Sequence, residues 1–288
     1  MQQTSQPSAT ISRPTREAQA GGAVLTDQEF RQFSELIHRI AGISMSAAKK
    51  PLVSGRLARR LKLHELDSYG EYFSFITSNR GKQELQEAVD ALTTNETHFF
   101  REPKHFDFLR QRVLPKRTAG RTLRIWSAAC SSGEEPYNIA MVLDELLGKD
   151  PWEVTASDIS TRVLDKARAG LFPIERVAEI PKPYLSRYCL KGVAEHDGTL
   201  LIEKTLRDRI RFIAHNLTQP PPRLELFDVI FLRNVMIYFD QNTKRQVIHR
   251  LLPLLRPGGH FLIGHSESLN GVTEELRAVA PAIYCKPA

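Results

Sequence analysis

Two adjacent glutamates stand where a ligand could reach them. An apolar run over Leu123–Trp126 predicts a buried strand, Ser127–Gly133 are all small, and Pro136 suits the first turn of a helix. A small-residue turn between a strand and a helix lets a ligand approach the backbone closely. Glu134 and Glu135 would repel a phosphate there and attract a cation such as an amine or a sulfonium. The alternative is that two acids only complement the dipole of the helix.

A third carboxylate follows the next predicted strand. Val154–Ala156 predict a second short strand, which ends at Asp158. Nucleotide-binding sheets place an acid at this point, where it accepts hydrogen bonds from both ribose hydroxyls. The alternative is that Asp158 caps the predicted helix Thr161–Ala169, although Ser160 could cap that helix instead. We therefore expect Asp158 to bind a ribose.

A polar group also follows the most apolar strand of the chain. Phe227–Phe231 is a continuous apolar run of the kind found in the middle of a parallel sheet, and Arg233, Asn234 and Val235 come directly after it. The carboxyl ends of parallel strands meet at one edge of a sheet, where open α/β proteins bind their ligands. The sequence thus predicts that Asn234 and its neighbours share a crevice with Glu135 and Asp158.

Composition limits the classes of protein. The 288 residues suit one large domain or two, and no apolar run reaches the roughly 18 residues that a membrane span needs. Three widely spaced cysteines indicate neither a disulfide framework nor a zinc site, and the nine histidines show no metal-ligand spacing. We expect a cytoplasmic protein without a metal. The net charge of +7 favours an acidic partner, which could be nucleic acid, a membrane surface or a protein.

The first 90 residues divide into a tail and a helical domain. Residues 1–23 are rich in Gln, Ser, Thr and Pro, which predicts disorder. Thr26 and Glu29 form a capping-box pattern before a helix that Gly42 ends, and helical spacing continues to about residue 90. A second helix near Pro51 has no acidic residue of its own. Its cations favour docking on a partner over plain solubility, and they are Lys49, Lys50, Arg56, Arg59, Arg60 and Lys62.

The remainder alternates between strands and helices. Residues 91–104 contain a polar cluster, whose simplest interpretation is a linker between helices, and residues 105–288 form the large domain. Within it, prolines and an alternating stretch predict a small antiparallel β insert over residues 171–212. A Pro-Gly-Gly turn, a strand and a final short strand near Cys285 suit the seven-stranded sheet of class I S-adenosylmethionine-dependent methyltransferases. The predicted fold class is therefore α/β, with a mostly parallel, doubly wound sheet.

Several blocks in the same order make a specific resemblance. The segments ALTTNETHFFRE, WSAACSSGEEPYNIA, TASDIS, FDVIFLRNVMIYFD and LRPGGHFLIGHSE stand behind a basic helical domain. In this the chain resembles the CheR family of chemotaxis receptor methyltransferases from about Leu25 to its C-terminus. The resemblance implies transfer of a methyl group from S-adenosylmethionine to glutamates on the cytoplasmic helices of chemoreceptors, with S-adenosylhomocysteine as the second product. We further expect a monomer that binds no nucleic acid and inserts in no membrane.

The same resemblance implies roles for individual residues. Glu135 would bind the amino group of the methionine part of the cofactor, and Asp158 its ribose. Arg101 and Tyr238 would lie nearest the transferred methyl group. The implied cofactor pocket comprises Asn95, Thr97, Arg101, Glu135, Asp158, Asn216, Leu217, Asn234 and Val235.

The chemistry needs no general base. A glutamate carboxylate, with a pKa of about 4.3, is already ionised at neutral pH, so the enzyme has only to align the reacting atoms and exclude water. Arg101 could steer the carboxylate, and Tyr238 could offer a hydrogen bond or an aromatic wall. Two alternatives stay open: a nucleic-acid methyltransferase, which would also explain the positive charge, and a non-catalytic scaffold that binds the cofactor as a sensor.

Overall fold

The computed structural model describes residues 23–118 and 120–288. The predicted tail, residues 1–23, lies outside this part of the chain except for Ala23. The first described elements are four helices that pack around one apolar cluster. They are α1 (Asp27–Ala41), α2 (Lys50–Leu63), α3 (Tyr69–Thr77) and α4 (Lys82–Leu92).

Helix α1 shows how local chemistry sets its ends. The Thr26 side chain accepts a hydrogen bond from the Glu29 backbone N–H, and the Glu29 carboxylate accepts one from the Thr26 N–H, which is the predicted capping box. At the other end Gly42 adopts a left-handed conformation with φ of 71°. The predicted start and stop of α1 are confirmed.

The large domain alternates strands with helices. Its helices are α5 (Lys104–Phe108), which continues as a π-helical turn over Leu109–Val113, α6 (Glu134–Leu147), α7 (Thr161–Ala169), α8 (Lys182–Tyr188), α9 (Lys204–Arg207) and α10 (Gln241–Leu251). Its strands are β1 (Leu123–Ser127), β2 (Trp152–Asp158), β3 (Leu171–Pro173), β4 (Cys189–Lys191), β5 (Thr199–Ile202), β6 (Ile210–Ala214), β7 (Phe227–Leu232), β8 (Leu255–Ile263), β9 (Arg277–Ala280) and β10 (Ile283–Cys285).

Seven strands form one sheet in the order β6-β2-β1-β7-β8-β10-β9. The first four pairings are parallel, and β10 runs antiparallel to both β8 and β9. Ile125 and its neighbour Trp126 on β1 are both fully buried but belong to apolar clusters on opposite faces of the sheet. The predicted fold class, a mostly parallel doubly wound sheet with an antiparallel final strand, is confirmed.

A second, three-stranded antiparallel sheet, in the order β3-β5-β4, forms the insert. The prediction carried the insert to residue 212, and this boundary is wrong by a few residues. Strand β6, which begins at Ile210, pairs in parallel with β2 and so belongs to the main sheet. The insert therefore ends before Ile210.

The helical domain sits on the edge of the main sheet at which the parallel strands end. The Ile40 carbonyl accepts hydrogen bonds from Asn216 Nδ2 at 2.6 Å and from Thr218 Oγ1 at 3.0 Å. The buried Asp90 carboxylate accepts from the backbone N–H of Arg162 in the first turn of α7 at 3.0 Å. Because these contacts flank the sheet edge, the helical domain closes one side of the space above it.

Candidate functional site

A single cavity brings together every residue predicted to bind the cofactor or to lie at the reacting end. It opens at the carboxyl ends of β1, β2 and β7, and Ala41 and Ile43 of the helical domain also line it. The predicted residues in its wall are Asn95, Thr97, Arg101, Glu135, Asp158, Asn216, Leu217, Asn234, Val235 and Tyr238. They come from five separate stretches of sequence, so the fold, and not local sequence, makes them neighbours.

Asp158 ends β2 inside this cavity. Its Oδ2 accepts a hydrogen bond from the Ser131 N–H and its Oδ1 one from the Ser160 N–H, each at 2.9 Å. Burial raises the pKa of the carboxyl above its ordinary value, against the two backbone hydrogen bonds, which lower it. Helix α7 is capped by Ser160, whose hydroxyl accepts from the Val163 N–H. The capping alternative for Asp158 is thus unnecessary.

Glu135 does not present a free negative charge. Its Oε2 lies 2.7 Å from Nη1 of Arg233, and its Oε1 accepts a hydrogen bond from the Ser127 hydroxyl at 2.7 Å. Arg233 is 3% exposed and also pairs with Glu102 at 3.0 Å. Arg233 was expected at this edge of the sheet, directly after the apolar run in the segment FDVIFLRN, but no role in the site was predicted for it. A cationic ligand would therefore meet a carboxylate that is already partly neutralised.

Glu134, the neighbour of Glu135, faces away from the cavity. Its side chain is 0% exposed, its Oε2 accepts a hydrogen bond from the Ser132 hydroxyl at 2.7 Å, and its Oε1 lies 2.8 Å from Nη2 of Arg176. The sequence predicted one role for both adjacent acids, but their surroundings differ. Of the two, only Glu135 lines the cavity.

Residues 93–101, here called the strap, cross one side of the cavity between α4 and α5. The Asn95 carbonyl accepts a hydrogen bond from the Ser131 hydroxyl at 3.0 Å, which ties the strap to the turn after β1. Arg101 Nη1 donates to the Glu96 carbonyl at 3.1 Å. Phe100 and Glu102 both have positive φ, of 52° and 57°, a sparsely populated conformation that the surrounding structure must hold in place.

Glu267, for which the sequence predicted no role, holds the loop after β7. Asn234 has a φ of 58°, and Glu267 Oε2 accepts hydrogen bonds from its N–H at 2.9 Å and from the Gly264 N–H at 2.6 Å. Burial raises the pKa of Glu267, although several backbone N–H groups favour its charged form. Its signal was the GHSE segment, in which an acid follows a buried strand.

Asn216 and Leu217 contribute in different ways. The Asn216 side chain donates to the Ile40 carbonyl and accepts from the Thr218 N–H at 3.0 Å, so it joins the two domains while it lines the cavity. Leu217 is buried and offers an apolar surface. Ile43 and Ile159 are further apolar residues in the lining of the cavity.

The expectation of a protein without a metal stays a prediction. Glu102, His105 and His265 present ligand atoms that all lie within 4.8 Å of one another. His105 is fully buried, and burial lowers its pKa to about 3. The Glu102 carboxylate, however, already accepts two hydrogen bonds at each oxygen, from Arg233 Nε and Nη2 at Oε2 and from Asn234 Nδ2 and the His265 backbone N–H at Oε1, so little acceptor capacity remains for a metal.

Acids of neighbouring helices neutralise part of the positive charge of helix α2, which has no acidic residue of its own. The predicted docking role of this helix stays a prediction. Arg60 forms an ion pair with Glu84 of α4, and Lys50 pairs with Asp27 at 2.6 Å. Arg56 donates to the Leu92 and Thr93 carbonyls at 3.0 and 3.1 Å. The acids come from neighbouring helices, so a search of the α2 sequence alone could not find them.

The other three of the six predicted docking cations differ from Lys50, Arg56 and Arg60 in their surroundings. Lys49, Arg59 and Lys62 are exposed and form no ion pair with any residue in the described ranges 23–118 and 120–288. Leu63 at the end of α2 is 64% exposed.

Within the described residues, no helix combines the length and apolar character that crossing a membrane requires.

Comparisons with known proteins agree on one family. The family model described as CheR methyltransferase, all-alpha domain, matches residues 28–93, and the one described as CheR methyltransferase, SAM binding domain, matches residues 95–285. Chemotaxis protein methyltransferase 2 of Pseudomonas aeruginosa is 43% identical over 263 residues, with 90% of this chain and 93% of that protein covered. The chemotaxis protein methyltransferase of Salmonella typhimurium is 40% identical, with 90% of each chain covered, and that of Escherichia coli is 40% identical, with 90% and 91% covered.

Proposed function

The chain belongs to the CheR methyltransferase family, and from that premise we propose that it transfers a methyl group from S-adenosylmethionine to glutamate side chains of chemotaxis receptors. One observation carries the proposal: the residues that the family resemblance assigns to the cofactor and to the reacting end all line one cavity. The proposed products are a glutamyl methyl ester and S-adenosylhomocysteine.

The donor set fits the proposed cofactor. Each oxygen of the Asp158 carboxylate accepts one backbone N–H, and a carboxylate has about four acceptor sites, so capacity for the two hydroxyls of a ribose remains. Glu135 would take the amino group of the methionine part, with Arg233 on its other side. Leu217 and Ile43 would cover the adenine ring. Asn95, Thr97, Asn234 and Val235 complete the proposed wall.

At the reacting end, we assign positioning and charge stabilisation to Arg101 and Tyr238. The bound cofactor would supply a methyl group activated by its sulfonium charge. The receiving glutamate is ionised at neutral pH, so no residue has to remove a proton. Arg101 would hold the incoming carboxylate, and Tyr238 would supply a hydrogen bond or an aromatic wall. Alignment of the reacting atoms in a site closed to water would lower the barrier.

For the receptor, we propose a docking surface made of Arg59, Lys62 and Leu63 on α2 and of Lys49, which directly precedes this helix. Three exposed cations without an intramolecular partner would attract an acidic helical surface, and an exposed leucine could be buried on contact. This surface does not include Lys50 and Arg60, which form ion pairs within the helical domain, or Arg56, which donates a hydrogen bond to a main-chain carbonyl. The monomeric state, the cytoplasmic location and the lack of a nucleic-acid partner stay predictions.

The test is methyl transfer from radiolabelled S-adenosylmethionine to three samples: receptor-containing membranes, RNA, and neither. We expect label in the receptor that mild base releases as volatile methanol, because glutamyl methyl esters are hydrolysed by base. Base-stable label in the RNA sample would favour the nucleic-acid alternative. Tight cofactor binding without label in any sample would favour the non-catalytic scaffold. Either result would contradict the proposal.

A further inference from the structure

Arginines from three different parts of the fold hold the strap, and each does so through main-chain carbonyls. Arg56 of α2 binds the Leu92 and Thr93 carbonyls at its start. Arg176 of the insert donates to the Thr97 carbonyl at 2.7 Å, in its middle. Arg233 donates to the Arg101 carbonyl at its end. Because the strap carries part of the proposed cofactor site, the position of these arginines determines where those side chains lie.

Arg176 joins the strap to the core of the large domain. Nη2 of its guanidinium group lies 2.7 Å from the Thr97 carbonyl and 2.8 Å from Oε1 of Glu134. Glu134 is fully buried in the first turn of α6, whereas Arg176 is 42% exposed. The contact with Thr97 is a hydrogen bond, and the contact with Glu134 is an ion pair made by the same nitrogen. The buried carboxylate thus anchors the guanidinium, and the guanidinium anchors the strap.

The insert makes two further contacts with the strap beside Arg176. His98 Nδ1 lies 2.7 Å from Oε2 of Glu179, and the rings of Phe99 and Phe172 meet edge to face with centroids 4.9 Å apart. The His98 contact is solvent-exposed and the Phe99 contact is buried. The insert therefore forms the outer wall of the strap, and the strap lies between the insert and the cavity.

We propose that Arg176 is a positioning residue for the methyl donor. By bridging Glu134 and the Thr97 carbonyl, it holds the strap in the conformation in which Asn95, Thr97 and Arg101 line the cavity. The strap has neither helix nor strand of its own, and Phe100 near its end and Glu102 directly after it have positive φ, so it depends on such outside contacts. This inference rests on the proposed function of the cavity.

The test needs a variant that removes Arg176 without leaving a buried charge unpaired. Arg176→Ala alone would strand the Glu134 carboxylate and could unfold the domain. The combination Arg176→Ala with Glu134→Gln removes both charges. Arg187→Ala is the matched control, because Arg187 also joins the insert to α6, through Asp144 at 3.0 Å, but does not touch the strap.

Two measurements on the full chain separate positioning from stability. By calorimetry, the double variant should bind S-adenosylhomocysteine about tenfold more weakly, the size expected for losing one charge-assisted hydrogen bond. Arg187→Ala should bind within twofold of the parent. Glu134→Gln alone should bind with an affinity between those of the parent and the double variant, because the Thr97 contact persists while the charged anchor of the guanidinium is lost. Amide hydrogen exchange over residues 93–101 should be faster in the double variant and unchanged in Arg187→Ala. Arg176→Lys should recover part of the affinity.

The possible failures are distinguishable. If the parent does not bind S-adenosylhomocysteine, the proposed function of the cavity is wrong. If the parent binds it and the double variant matches Arg187→Ala in affinity and in strap exchange, the positioning role of Arg176 is overturned. If Glu134→Gln alone weakens binding as much as the double variant, the effect belongs to the α6 terminus and the inference also fails.

Discussion

Nη1 of Arg233 lies 2.7 Å from Oε2 of Glu135, and the two residues are 98 positions apart in the chain. The same guanidinium pairs with Glu102 and donates to the Arg101 carbonyl. One buried cation thereby fixes the carboxylate proposed for the cofactor amine and the backbone of the residue proposed for the reacting end. The geometry of both ends of the cavity depends on it.

Arg233→Ala should destabilise the large domain by about 3 kcal/mol or more, because two largely buried carboxylates would lose their shared cation. Calorimetric unfolding of the variant would measure the loss. Arg168→Ala removes an exposed ion pair with Asp165 and should cost less than about 1 kcal/mol. Equal effects of the two substitutions would show that Arg233 is an ordinary surface partner.

Asp158→Ala should weaken binding of S-adenosylhomocysteine by about 1–3 kcal/mol, because the ribose hydroxyls would face a closed site without an acceptor. Isothermal titration calorimetry on the folded variant measures this change. Asp165→Ala, which alters an exposed acid on α7 paired with Arg168, is the control and should bind like the parent. Unchanged affinity in Asp158→Ala would exclude this carboxylate from the ribose site.

Arg101→Ala should lower the rate of receptor methylation about a hundredfold or more while weakening cofactor binding far less. The reason is that a donor at the reacting end acts mainly on the transition state, and removal of one such donor commonly costs that much. The methylation rate is measured with radiolabelled S-adenosylmethionine, and the cofactor affinity is measured as the Kd for S-adenosylhomocysteine. Arg112→Ala, at an exposed position outside the cavity, should leave both unchanged. Parallel losses in rate and affinity would make Arg101 only a cofactor ligand.

Reversing Lys49, Arg59 and Lys62 to Glu should reduce receptor methylation at low ionic strength without changing cofactor affinity. Long-range attraction raises encounter rates and is screened within about 8 Å at physiological salt, so the parent's rate should also fall as salt is added. The salt dependence of initial rates for parent and variant tests both points. A control with Lys149, Lys166 and Arg211 reversed carries the same charge change at exposed sites of the other domain. Equal losses in the two triple variants would mean that net charge, and not this helix face, matters.

The free energy of unfolding of the helical domain should fall in acid, as the Glu84 carboxylate becomes protonated. Burial alone would raise the pKa of Glu84, but hydrogen bonds from Arg60, Tyr72 and His64 outweigh it and lower the pKa from 4.5 to about 2. The folded state therefore holds this carboxylate charged more firmly than the unfolded state does. Its contribution, about 1–3 kcal/mol, is present above about pH 4.5 and is lost as the pH falls towards 2.

Unfolding of the helical domain, followed by circular dichroism between pH 6 and pH 3, checks this prediction. In Glu84→Gln the part of the pH dependence that belongs to Glu84 should disappear. Glu87→Gln is the control, because Glu87 is 46% exposed and lies 3.4 Å from the same arginine. An unaltered pH profile in Glu84→Gln would contradict the assignment.

The sequence by itself determined the elements and the location of the site. Period-two and helical spacing, the capping box at Thr26 and the apolar run of β7 are local features, and each element that they predicted is present. A parallel sheet places the carboxyl ends of its strands together, so Glu135, Asp158 and Asn234 could be assigned to one crevice without coordinates.

Only the tertiary structure decided which charges are free. Arg60 of α2 meets Glu84 of α4, Arg233 after β7 meets Glu135 in the first turn of α6, and Arg176 of the insert meets Glu134 of α6. None of these pairs has a sequence spacing that marks it, because ion pairs between elements depend on how helices and strands pack. The sequence reports that a charge exists, whereas packing determines whether water, a partner protein or another side chain neutralises it.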